Sequence, residues 1–108
     1  MYTVRKQRKL DPNSVEQMDA FNEEYAEACR KLDVSRETVD VTYEQAGEYL
    51  GLSPRTVQRY AYAVPPILDL SHVMVDRGFA NLQKQAMVTL DSVVEYKLWP
   101  RFNRKGGK

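Results

Sequence analysis

The chain has 108 residues, 43% of them hydrophobic and 29% charged, with a formal net charge of +1. That length suits one compact domain, and no apolar run approaches the length needed to cross a bilayer. A single cysteine, Cys29, and a single histidine, His72, exclude an internal disulfide and any Cys/His metal or catalytic set, so neither a metal nor a cofactor is expected.

In chain order, the N-terminal text MYTVRKQRKL is basic and has no apolar h-region behind it. It reads as a basic arm over residues 1–10, not as a secretory signal. Asp11 to Leu32 reads as a helix: Asp11-Pro12 supplies a cap residue and a first-turn proline, and Val15, Met18, Phe21, Tyr25, Cys29 and Leu32 recur at helical steps. Its other face, with Glu16, Asp19, Glu23, Glu24 and Glu27, is acidic and suits either solvent or a docking partner. Asp33 to Val41 has no clear period and reads as a connector.

Thr42-Tyr43-Glu44-Gln45 has the spacing of a capping box and opens a second helix to about Leu50, which Gly51 ends. Ser53-Pro54 restarts helix at once, serine as N-cap and proline in the first turn, until Pro65-Pro66 stops it. Pro66 to Gly78 reads as a fourth helix through Ile67, Leu70, Val73 and Met74, Asn81 to Leu90 as a fifth, and a sixth, capped by Asp91 or Ser92, runs to Trp99-Pro100. The last residues, RFNRKGGK, read as a basic flexible tail over 101–108. The expected fold is therefore all-α, a compact domain of five to six helices over residues 11–100.

Net charge is segregated along the chain: +4 over residues 1–10, −8 over 11–48 and +5 over 49–108. Such asymmetry lets a near-neutral protein present a basic face to phosphate. The segment YEQAGEYLGLSPRTVQRYAYAV, about residues 43–64, meets the steric demands of a helix-turn-helix. Gly47 stands where two crossing helices need a small residue, Gly51 where the turn needs a positive φ, and Leu52 where an apolar plug covers the junction. Leu50, Leu52, Val57 and Tyr60 or Ala61 are expected to form the shared core. The exposed positions of the second helix then include Arg55, Thr56, Gln58 and Arg59, side chains suited to base edges in a major groove.

The segments RKLDPNSVEQMDAFNEEY and YLGLSPRTVQRYAYAVPPILDLSHVMVDRGFANLQKQAMVTL resemble the central DNA-binding domain of ParB/KorB-type partition proteins. Pro65-Pro66 departs from the family pattern, and the nucleotide-binding domain of full partition proteins, with its CTP chemistry, has no counterpart in this text. The resemblance implies an all-helical domain reading a palindromic site. It implies base contacts from Arg55, Thr56, Gln58 and Arg59, and phosphate contacts from Thr42, Tyr43 and Ser53. Tyr62, Arg77 and Lys84 join the expected phosphate contacts, with Lys97 as a further basic contributor.

The sequence thus predicts a non-enzymatic, sequence-specific double-stranded DNA-binding protein, cytoplasmic and nucleoid-associated, acting as a small plasmid, phage or mobile-element regulator or partition-type domain. A homodimer on a palindrome is the expected assembly. One alternative is a protein-interaction module, such as a phage-encoded inhibitor, that docks a partner on the acidic first helix. The other is an excisionase-like or MerR-like DNA-binding factor, which would follow its second helix with a β-wing where Pro65 to Gly78 here reads as helix. Trp99 and Phe102 suit either a dimer contact or closure of the core.

Overall fold

The computed structural model describes residues 10–76, 78 and 82–102, with the backbone alone at 75, 76 and 82–84. The element order is α1 (Val15–Leu32), β1 (Asp40–Val41), α2 (Tyr43–Leu50), α3 (Pro54–Ala61), β2 (Leu70–Asp76), β3 (Leu82–Thr89) and α4 (Leu90–Phe102). The fold is mixed α/β, not all-α. Among the described residues no helix is long and apolar enough to cross a membrane.

Helix α1 begins later than Asp11-Pro12 suggests. Ser14 is its N-cap, its side chain accepting from the Gln17 N–H at 3.2 Å, while Asp11 closes a preceding turn by accepting from Asn13 at 2.9 Å. A serine or aspartate can satisfy an orphan amide only from the residue immediately before the helix, and Ser14 holds that place. Asp33, at φ 56°, ends α1 in the left-handed region.

The expected fourth and fifth helices are the two strands of a hairpin. β2 and β3 pair antiparallel from Leu70 opposite Val88 to Asp76 opposite Leu82. β1 joins the other side of β3, with Val41 opposite Val88, giving the order β1-β3-β2. Gln83, Lys84, Gln85, Ala86 and Met87 favour helix by intrinsic propensity, and only the pairing with β2 makes them extended. β2 packs on β3 and hardly on the helices, so no core face imposes a clean two-residue alternation on it. That is why its apolar spacing passes for helical.

Helix α4 starts directly after β3. Thr89 caps it, its hydroxyl oxygen accepting from the Ser92 N–H at 3.2 Å, so the cap expected at Asp91 or Ser92 lies upstream of both. Ser92 instead turns its own hydroxyl back to the Thr89 carbonyl at 2.8 Å and is fully buried. The helix passes through Pro100 to Phe102, which packs on the core beside a half-buried Trp99.

The core is assembled from every layer. Val41 of β1, Val57 of α3, Leu68 of the linker, Val88 of β3 and Leu90, Val93 and Val94 of α4 are all fully buried. Each such side chain contributes roughly 1.5–3 kcal/mol relative to exposure. Cys29 is buried among them as a small apolar group, and burial pushes its thiol up.

Candidate nucleic-acid interface

Helices α2 and α3 and the turn between them form the helix-turn-helix. At its start the capping box is complete: Thr42 Oγ1 accepts from the Gln45 N–H at 3.0 Å and Gln45 Oε1 accepts from the Thr42 N–H at 2.9 Å. Gly51 ends α2 at φ 76°, donating to the Gly47 carbonyl, which also receives the Leu52 N–H at 2.8 Å. The chain folds back so closely there that a Cβ on Gly47 would sit inside van der Waals contact of the Leu52 carbonyl oxygen. Gly47 is required by this approach, Gly51 by its dihedral.

Ser53 caps α3. Its hydroxyl accepts from the Thr56 N–H at 3.2 Å and lies 3.0 Å from the Thr56 hydroxyl. Pro54 occupies the first turn, where no amide is needed. Val57 and Ala61 are buried, with Leu50, Leu52 and Tyr60 packed beside them. Arg55, Gln58, Arg59 and Tyr62 are exposed. Their spacing of three and four residues puts them on one helical face, away from the buried stripe. Among the described residues neither Arg55 nor Arg59 has a carboxylate partner.

The other expected contacts divide. Thr42 is half-buried, its hydroxyl oxygen accepting in the capping box. Ser53 is exposed, and Thr56 is half-buried beside it. Tyr43 and Tyr62 come together: burial first, and then the neighbouring Tyr62 hydroxyl, raise the Tyr43 phenol. The Tyr43 hydroxyl is shielded from solvent and makes no well-formed hydrogen bond, which leaves the exposed Tyr62 as the outer member of the pair.

Lys84 stands in β3 opposite Met74, with its side chain outside the description. Arg77, the arm residues before Leu10 and the tail after Phe102 lie outside the described residues.

Lys97, expected as a basic contributor, is committed elsewhere. Its ammonium lies 3.3 Å from Glu24 and 4.5 Å from the centre of the Tyr49 ring, and the Tyr49 hydroxyl donates to the same Glu24 carboxylate. This link ties α1, α2 and α4 together. It also draws Glu24 inward from the acidic face of α1, where Glu16, Asp19 and Glu23 remain exposed. Arg30 donates to the Glu27 carboxylate, and that hydrogen bond holds the carboxyl below the usual range. No local sequence pattern announces the Glu24–Tyr49–Lys97 link, because its members come from three separate helices.

After α3 the chain turns back, the Tyr60 carbonyl receiving the Ile67 N–H at 3.1 Å and the Leu68 N–H at 3.3 Å, and enters the β2–β3 hairpin. The helix-turn-helix is thus followed by a β-hairpin, where the sequence from Pro65 to Gly78 reads as helix. Comparison with known proteins returns no match, whether against family models, curated proteins or solved structures.

Proposed function

We propose that this protein is a non-enzymatic, sequence-specific binder of double-stranded DNA that lays α3 in a major groove. The observation that carries the reading is the two-sidedness of α3. Arg55, Gln58, Arg59 and Tyr62 share one exposed face, while Val57 and Ala61 anchor the helix from behind. Arginine reads guanine through its paired donors, glutamine reads adenine, and Tyr62 with the Ser53 and Thr56 hydroxyls suits flanking phosphates. The hairpin after α3 favours the excisionase-like or MerR-like architecture over the all-helical partition-type one. What the likeness to partition proteins still contributes is the α2–turn–α3 segment.

Selection of bound duplexes from a random pool tests the reading. Enrichment of one site is expected, with affinity falling steeply as salt rises because neutralised phosphates release counterions. A pool without enrichment and a binding curve indifferent to salt would overturn it in favour of a protein-docking module on α1.

A further inference from the structure

Two backbone hydrogen bonds decide which way the groups of the sheet point. The Thr89 N–H donates to the Asp69 carbonyl at 3.0 Å, and the Leu90 N–H donates to the Val39 carbonyl at 2.8 Å. Odd-numbered residues of β3 therefore pair towards β2 and even-numbered ones towards β1. Through the continuous register from Leu70–Val88 to Asp76–Leu82, Ser71, Val73 and Val75 spend their amides and carbonyls on β3. Leu70, His72, Met74 and Asp76 direct theirs outward from the edge of the sheet.

Along most of its length that edge carries none of the usual guards, its one charge being Asp76 at the end of the strand. From Leu70 to Val75 there is no lysine, proline or formal charge, and the side chains of His72 and Met74 are exposed. Natural sheets protect a long free edge with such residues, and an unguarded one is a template for another strand. The opposite edge, β1, has two residues and is too short to pair with all of β2.

We infer that β2 pairs antiparallel with β2 of a second copy, joining two sheets across a two-fold axis at Val73. In this register His72 meets Met74 of the copy, Leu70 meets Asp76, and Ser71 meets Val75. It is the one symmetric register in which every residue of β2 finds a partner strand residue. Its hydrogen-bonded pairs are those whose groups point outward, and no like charges oppose each other. The pairing uses the hairpin edge, not the exposed face of α3, and does not rest on the DNA reading.

Cross-linking tests the register. At Val73 the two strands form a non-hydrogen-bonded pair with Cα atoms about 4.5 Å apart, within disulfide range. In a Cys29→Ala background, Val73→Cys should give a disulfide-linked dimer under mild oxidation, whereas Ser71→Cys, displaced along the strand from its symmetry mate, should not. Cross-linking through Ser71→Cys but not Val73→Cys would overturn the pairing, as would a monomer by light scattering at all concentrations.

Two double variants of exposed residues give a second readout by light scattering. His72→Glu/Met74→Glu sets glutamates opposite each other and should leave a monomer with an unchanged circular dichroism spectrum. His72→Lys/Met74→Glu sets opposite charges together and should keep the dimer. Equal behaviour of the two variants would overturn the inference. Absence of DNA selection by the parent protein, with the dimer intact, would refute the functional proposal alone.

Discussion

The Gly47 carbonyl receives the Leu52 amide at 2.8 Å, and the same approach leaves no room for a side chain on Gly47. The contact is backbone on backbone, so no rotamer change relieves an added methyl. Gly47→Ala should cost about 1–3 kcal/mol in chemical denaturation. Gly51→Ala adds a Cβ in open space but at φ 76°, and should cost about 1 kcal/mol from strain alone. A Gly47→Ala protein as stable as the parent would show that α2 and α3 do not meet this closely.

Arg59→Ala should weaken the selected site by about 1–3 kcal/mol and relax preference at one base position, since a lost base contact is a loss of discrimination. Arg55→Lys keeps the charge and removes the planar fork, so it should reduce selectivity more than affinity for random duplex. Parallel titrations against selected and scrambled duplexes distinguish these outcomes. A uniform loss on both would reassign Arg59 to phosphate.

Lys97 is held by Glu24 and Tyr49, so removing its charge should leave DNA binding alone. Lys97→Met should keep the slope of log affinity against log salt unchanged. A shallower slope would put Lys97 on the DNA.

Tyr49 donates to Glu24 from a buried position, and burial first, then that hydrogen bond, raises its phenol above the ordinary value. In the unfolded chain the phenol titrates near pH 10, so the stabilisation is complete below about pH 10 and is lost as pH climbs above it. Tyr49→Phe should cost about 1–3 kcal/mol at neutral pH. It should also flatten the fall in urea midpoint above about pH 10. The same alkaline fall in both proteins would mean that Tyr49 ionises as freely folded as unfolded.

The helix-turn-helix was legible because its requirements are local. Thr42 and Gln45, Ser53 and Thr56, and Gly47 and Leu52 lie within five residues of each other. Caps, a positive φ and a small residue at a crossing are demands that neighbouring residues meet or fail to meet by themselves. Most side chains expected on the open face of α3 followed from the same reasoning, since burial of Val57 and Ala61 turns Arg55, Gln58 and Arg59 outward, whereas Thr56 is half-buried beside Ser53.

By itself, then, the sequence determined the body of α1, the capped pair α2 and α3, most of α4, and that Arg55, Gln58 and Arg59 lie on the exposed face of α3. Tertiary structure alone decided that 70–89 is a hairpin, that Thr89 caps α4, and that Lys97 belongs to Glu24 and Tyr49. A strand whose segment prefers helix becomes a strand only when a distant neighbour satisfies its backbone, and no local pattern carries that information.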